Sequence, residues 1–134
     1  MAPLEDKLTE LLPKTSTVKS DLLDSGRIQA MPINFLRGAN WIEKIVVADE
    51  SQNFTFKELT TLITRIGSDS KLFICGDIMQ SDINGKSGFK DMINLFKDPE
   101  SKAKGIHYFQ FNEDDIFRSE ILKYIIKKLK TYNN

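Results

Sequence analysis

The chain has 134 residues, enough for one domain with a hydrophobic core but too few for two. Its 19 basic and 19 acidic residues cancel, so no net charge draws it toward nucleic acid or a membrane surface. The single cysteine, Cys75, excludes an internal disulfide and fits a reducing compartment. Since no signal peptide or long apolar run appears, the sequence predicts a soluble, cytoplasmic protein without a membrane partner.

The first 25 residues predict a helical N-terminal segment. Leu4, Leu8 and Leu11 recur at helical spacing, and Pro13 ends that helix. A second helix follows and is ended by Gly26.

From residue 26 to residue 134 the pattern changes to strands alternating with helices. Short apolar or alternating runs predict strands at 27–35, 43–49, 71–77 and 106–111. Helix-like segments follow at 54–67, 87–98 and 114–130, and Thr55 with Glu58 forms a capping box at the first of them. This alternation predicts an α/β fold with a mainly parallel sheet. The runs IVVAD and LFICGD are almost continuously apolar, as in strands that are buried on both faces, and the second would bury Cys75.

Acidic side chains follow both of these strands. Asp49 and Glu50 end the first run, and Asp77 ends the second, with Gln80 three residues later. Ligands bind at the carboxyl ends of the strands in open parallel sheets, so these side chains would share one edge. An apolar strand ending in Asp-Glu is typical of a Walker B motif, in which one carboxylate holds Mg²⁺ and the next orients the attacking water. The alternative is that both carboxylates solvate a loop or cap a helix.

The order and spacing of several short segments resemble the PhoH-like family of P-loop NTPases, which are related to superfamily 1 helicases. The resemblance runs from about Gly26 to Ile125. Its segments are FLRG (35–38), VVADESQN (46–53), TRIGSDSK (64–71), CGDIMQSD (75–82), KSGF (86–89) and EDDIFRSEIL (113–122). It implies a partial RecA-like, three-layer P-loop NTPase fold in residues 26–134, with ATP as substrate and Mg²⁺ as cofactor.

The resemblance also implies roles for individual residues. Asp49 would coordinate Mg²⁺, with Asp77 nearby; Glu50 would be the catalytic base, and Gln80 would contact the γ-phosphate. Three arginines are further candidates: Arg65 and Arg118 as arginine fingers across a subunit boundary, and Arg37 near the nucleotide or nucleic acid. The alternative for Arg65 is a cation at a helix C-terminus, and the alternative for Arg118 is a surface residue on an amphipathic helix. The family further implies RNA remodelling and assembly into a homo-oligomeric ring.

One element of a P-loop NTPase is absent from these 134 residues, the Walker A motif G-x-x-x-x-G-K-[ST]. The fragment Gly85-Lys86-Ser87 does not supply it, because position 80 holds Gln80 where a glycine is required. In the sheet of the family that the chain resembles, the Walker A strand lies between the strands that match 71–77 and 106–111, so the resemblance implies a gap there. Three alternatives remain open. A separate chain supplies the missing strand, the helical segment 1–25 covers the gap, or the open edges of the two strands pair, directly or between two copies of the chain. The sequence leaves open whether the chain is an ATPase, a non-catalytic module that binds RNA or a partner, or a truncated relic.

Overall fold

The computed structural model describes residues 2–12, 17–36, 38, 40–81, 83, 85–112, 115 and 119–132. Its helices are α1 (Ala2–Leu11), α2 (Val18–Asp24), α3 (Phe56–Ile63), α4 (Phe89–Phe96), α5 (Pro99–Ala103) and α6 (Glu120–Tyr132). Its strands are β1 (Ile45–Ala48) and β2 (Lys71–Ile74). The chain divides into two compact units, Met1–Met92 and Ile93–Asn134.

Local signals end the first two helices where the sequence predicts. α1 stops at Leu11, two residues before Pro13, whose ring would clash with a preceding helical turn. After α2, the Ser25 amide donates back into the last helical turn, and Gly26 adopts a left-handed backbone with φ of +69°. Glycine takes that conformation without the steric penalty of a side chain.

The sheet of the first unit is a parallel pair. Ile45 lies opposite Lys71 and Ala48 opposite Ile74. A parallel bridge between Trp41 and Ile66 extends the pairing toward the amino ends. α3 is the crossover between the two strands, so the chain has the α/β architecture expected of a partial RecA-like domain.

The hydrophobic core lies against one face of this sheet. Leu62 of α3 packs with Ala48 and Leu36, and partly buried apolar residues surround them: Ile33, Trp41, Phe54, Leu72 and Ile74. The opposite face is exposed to solvent, with Ile45 at 75%, Val47 at 62% and Phe73 at 51% of full exposure. The prediction that both strands are buried on two faces is therefore wrong, because among the described residues the core contacts one face only.

Two predicted strands are absent. Residues 27–35 contain a 3₁₀ turn at Ile33–Phe35 and no strand. Pro32 lacks the amide that a sheet ladder needs. Residues 106–111 likewise form no strand, and Phe109 and Phe111 are each 83% exposed. No described neighbour offers them a backbone ladder, and a strand without a ladder has no source of stability.

The turn between β2 and α4 is held by a close backbone approach. The Gly88 amide donates to the Phe54 carbonyl at 2.9 Å. A Cβ at Gly88 would lie 2.1 Å from the Phe56 amide nitrogen, so only glycine fits there. This approach brings the start of α4 onto the start of α3 and buries Phe89 and Met92.

α5 is not among the helices that the sequence predicts. The Asp98 side chain accepts a hydrogen bond from the Ser101 amide, and Pro99 occupies the first helical turn. Both are standard start signals that the sequence displays. In α6, the apolar residues Ile121, Ile125 and Leu129 lie at helical spacing and are 66%, 43% and 59% exposed.

Within the described part of the chain, no helix has the length and apolar character needed to cross a bilayer.

Leu59→Ala tests the position of the core. Leu59 is fully buried at 0% exposure, so its truncation should lower the free energy of unfolding by ~2–5 kcal/mol. The matched control is Leu95→Ala in α4, where the side chain is 56% exposed. Urea denaturation followed by circular dichroism measures both, and similar losses for the two variants would contradict this packing.

Candidate functional site

The turn after β1 presents two carboxylates. Asp49 directly follows the strand, and its Oδ1 accepts a hydrogen bond from the Glu50 amide at 2.9 Å. Glu50 has a left-handed backbone, with φ of +53° and ψ of +34°, which costs roughly 1–2 kcal/mol for a residue with a side chain. Both side chains are exposed. The turn is anchored below by Ser51, whose buried hydroxyl donates to the Ala48 carbonyl at 2.9 Å.

The loop after β2 presents the second pair of polar groups. Asp77 caps a 3₁₀ turn at Ile78–Gln80, because its Oδ1 accepts from the Met79 amide at 2.9 Å. Its Oδ2 accepts from the Gln80 side-chain amide at 2.8 Å. Asp77 and Gln80 are exposed and act as one hydrogen-bonded pair.

Gln52 joins the two loops. Its side chain is only 2% exposed. Nε2 donates to Glu50 Oε2 at 2.5 Å, and Oε1 accepts from the Asp77 amide at 3.1 Å. The Gln52 carbonyl also accepts from the Ser81 hydroxyl at 3.0 Å. Asp49, Glu50, Asp77 and Gln80 therefore lie at one edge of the sheet, as the strand pattern predicts.

Gln52 is not among the site residues that the sequence predicts. Its signal in the sequence is an amide residue two positions after the predicted base, and nothing in that spacing shows that the side chain is buried. The contact also depends on Gly76, since a Cβ there would lie 2.7 Å from Gln52 Oε1 and 3.0 Å from the Gln52 amide nitrogen. The close approach of these two loops thus depends on residues that are distant in sequence, and the local spacing around Gln52 does not reveal it.

The capping box predicted at α3 is present. The Thr55 hydroxyl accepts from the Glu58 amide at 3.3 Å, and the Glu58 carboxylate accepts from the Thr55 amide at 2.8 Å. These bonds satisfy amide groups at the helix start and fix the direction in which the chain leaves the site.

Arg65 lies at the other end of the sheet. Its carbonyl accepts from the Trp41 amide at 2.9 Å, next to the Trp41–Ile66 bridge at the amino ends of the strands. The structure therefore does not bring Arg65 to the carboxylates of the same chain. Its buried Nε has no hydrogen-bond partner among the described residues. Arg37 and Arg118 lie outside the described residues.

Cys75 lies beside Asp49. The predicted burial of this cysteine is wrong, because it is exposed on the open face of the sheet. Partial removal of the thiol from water raises its pKa, and the nearby Asp49 charge raises it further. Both effects disfavour the thiolate, so the thiol is less reactive than that of an unperturbed cysteine.

Alkylation of Cys75 by iodoacetamide reports this proximity. We expect the pH–rate curve to lie at higher pH than that of a short cysteine peptide, because the thiolate is the reacting form. Asp49→Asn should move the curve back toward the peptide, whereas Asp24→Asn, at the exposed end of α2, should not. The assay contains EDTA, so that no metal masks the Asp49 charge. Identical curves for Asp49→Asn and the unmodified chain would show that the two side chains do not interact.

Comparisons with a family model and with curated proteins give the same family description. Residues 1–130 match the family described as PhoH-like protein, including the N-terminal helices that precede the resembling segments. A PhoH-like protein of Synechocystis sp. is 30% identical over 136 residues, covering 100% of this chain and 40% of the relative. A PhoH-like protein of Bacillus subtilis is 29% identical, covering 99% of this chain and 40% of the relative. Protein PhoH of Escherichia coli is 28% identical, over 72% of this chain and 27% of the relative.

The chain thus spans about two fifths of the length of the first two relatives. The family match nevertheless covers almost all of its residues, and it includes both loops of the site. This chain belongs to the PhoH-like protein family.

Proposed function

We propose that this chain supplies the magnesium-binding and water-activating edge of an ATP-hydrolysing site. The observation that carries the proposal is the hydrogen-bonded connection between the Asp49–Glu50 turn and the Asp77–Gln80 loop, through Gln52. A hydrolytic nucleotide site needs a carboxylate for the metal, a base for water and a polar group for the terminal phosphate. The chain offers these three types of group at the carboxyl ends of two parallel strands.

Asp49 is the residue that would hold Mg²⁺. It is exposed, and the one hydrogen bond that the described residues give its side chain is from the Glu50 amide to Oδ1. Mg²⁺ prefers one or two carboxylates and completes its coordination shell with water and phosphate oxygens. The exposed carboxylate of Asp49 is a ligand of this kind, and water and phosphate oxygens would complete the shell. The bound ion would neutralise charge on the phosphates.

Glu50 and Gln80 would act on the reacting groups. The Glu50 carboxylate is exposed, and its Oε2 is held by the buried Gln52 amide, so it has a defined position from which to accept a proton from water. Gln80 has an exposed amide, whose nitrogen now donates to Asp77 and would donate to a terminal phosphate instead.

The phosphate-cradling loop of this site would come from another polypeptide segment. The 134 residues contain no G-x-x-x-x-G-K-[ST] sequence, and phosphate binding by P-loop enzymes depends on its amides and lysine. Within a homo-oligomeric ring, Arg65 would serve the site of a neighbouring subunit, since it lies away from the carboxylates of its own chain.

Calorimetric titration with Mg·ATP tests the assignment of Asp49. We expect a weak, saturable heat for the 134-residue chain, and Asp49→Asn should weaken binding by at least ~10-fold, since even outer-shell partners of a metal contribute ~10–100-fold. Glu50→Gln should keep the heat, because it removes the base and not the ligand. Asp24→Asn is the charge-matched control. The proposal would be contradicted by the absence of saturable heat at high protein concentration, or by equal binding to Asp49→Asn.

RNA binding is a second candidate function, and the observation that favours it lies in the unit Ile93–Asn134. Phe109 and Phe111 are each 83% exposed and lie two residues apart in a segment without regular secondary structure. Exposed aromatic rings are platforms on which single-stranded bases stack. The same unit carries exposed lysines on α6, among them Lys127 and Lys128, which would contact phosphates.

Fluorescence anisotropy with a single-stranded RNA tests this candidate. Replacing Phe109 and Phe111 together by Ala should weaken binding by at least ~30-fold, because each of the two lost stacking contacts is worth ~1–3 kcal/mol. Affinity should also fall as salt is raised. Phe35→Ala is the matched control, since that ring is 74% exposed in the other unit. Equal affinities for the double variant and the control would remove the candidate.

A further inference from the structure

Gln52 is a buried polar side chain whose two ends contact the two halves of the proposed site. Its nitrogen donates to the Glu50 carboxylate and its oxygen accepts from the Asp77 amide. A side chain only 2% exposed cannot exchange these partners for water without cost. Movement of either partner must therefore be followed by the other or leave a buried amide group unpaired.

The orientation of this amide is fixed by its partners. A carboxylate, as at Glu50, can only accept hydrogen bonds, and the Asp77 backbone amide can only donate one. A flip of the Gln52 side chain would set donor against donor at Asp77 and acceptor against acceptor at Glu50. The connection thus has one arrangement with both bonds made.

The loop after β2 is held close to this amide. Gly76 leaves no room for a Cβ, which would lie 2.7 Å from Gln52 Oε1. One residue further on, the Asp77 carboxylate holds the Gln80 side chain at 2.8 Å. A phosphate that draws Gln80 away from Asp77 would disturb the residue whose backbone amide binds Gln52.

We propose that Gln52 is a positioning residue that couples the Glu50 carboxylate to the Gly76–Ser81 loop, so that engagement of a phosphate by Gln80 sets the position of Glu50. The inference rests on the proposed function for the roles of Glu50 and Gln80. The coupling itself is a property of the two loops and is measurable without nucleotide.

Amide hydrogen exchange at Asp77, measured by NMR on the 134-residue chain, tests the coupling. Gln52→Met removes the acceptor while keeping the side-chain length, so exchange at Asp77 should become ~5–10-fold faster, the equivalent of a net hydrogen bond of ~1 kcal/mol. Glu50→Ala removes the carboxylate to which Gln52 Nε2 donates, so the Gln52 side chain loses one of its two anchors and exchange at Asp77 should also accelerate. In the double variant Gln52→Met/Glu50→Ala, exchange at Asp77 should be no faster than in Gln52→Met alone. This non-additivity would show that the effect of Glu50 reaches Asp77 through Gln52.

Two control variants separate coupling from general loosening of the turn. Ser51→Ala removes a neighbouring buried hydrogen bond, to the Ala48 carbonyl, and touches neither Glu50 nor Asp77. Asp24→Asn, at the exposed end of α2, removes one negative charge outside both loops. Both should leave exchange at Asp77 within about twofold of the unmodified chain, a change well below the loss of one hydrogen bond.

The possible results are distinct. An unchanged exchange rate at Asp77 in Glu50→Ala would overturn the coupling, whether or not Gln52→Met folds. Equal acceleration in Ser51→Ala would also overturn it, because the effect would then be one of general stability. Failure of Mg·ATP to bind, with the exchange pattern as expected, would overturn the proposed function and leave the coupling in place.

Discussion

Two parallel strands can be joined only by a connection that crosses back to the starting edge of the sheet, and here α3 is that connection. With Ala48 opposite Ile74, the residues that follow the two strands emerge at the same edge. The register continues one step beyond the strands, where the Cys75 amide donates to Ala48 and the Ser51 amide to Cys75. All of the geometry of the candidate site depends on this pairing, because its two loops are 25 residues apart in sequence at the Gln52–Asp77 contact.

The pairing also explains why polar groups are buried there. A turn that reverses the chain directly after a strand has amides and carbonyls that no ladder satisfies. Ser51 and Gln52 are buried at 0% and 2% exposure. The Ser51 hydroxyl gives the Ala48 carbonyl a second hydrogen bond, and Gln52 Oε1 accepts from the Asp77 amide, which the ladder leaves without a partner. The left-handed Glu50 backbone lies in the same turn, so the backbone strain is at the residue with the proposed chemical role.

Features with a local cause were predictable from the sequence, and features that depend on a distant partner were not. Pro13, Gly26 and the Thr55 capping box act within a few residues, and the structure agrees with each prediction. The segment 106–111 has strand-forming residues, but a strand exists only where a neighbour completes its ladder. Gln52 shows the same limit at the site, since its burial depends on the absence of a Cβ at Gly76.

The position of Arg65 constrains how a complete nucleotide site is assembled. Arg65 adjoins Trp41 at the amino ends of the strands, whereas Asp49 follows β1 at its carboxyl end. The four residues of β1 alone span about 10 Å at ~3.3 Å per residue, and the segment from Trp41 to Lys44 adds to that separation. Arg65 cannot close this distance without breaking the parallel pairing that forms the carboxylate edge. Within one chain, the parallel pairing therefore keeps Arg65 away from the carboxylate edge.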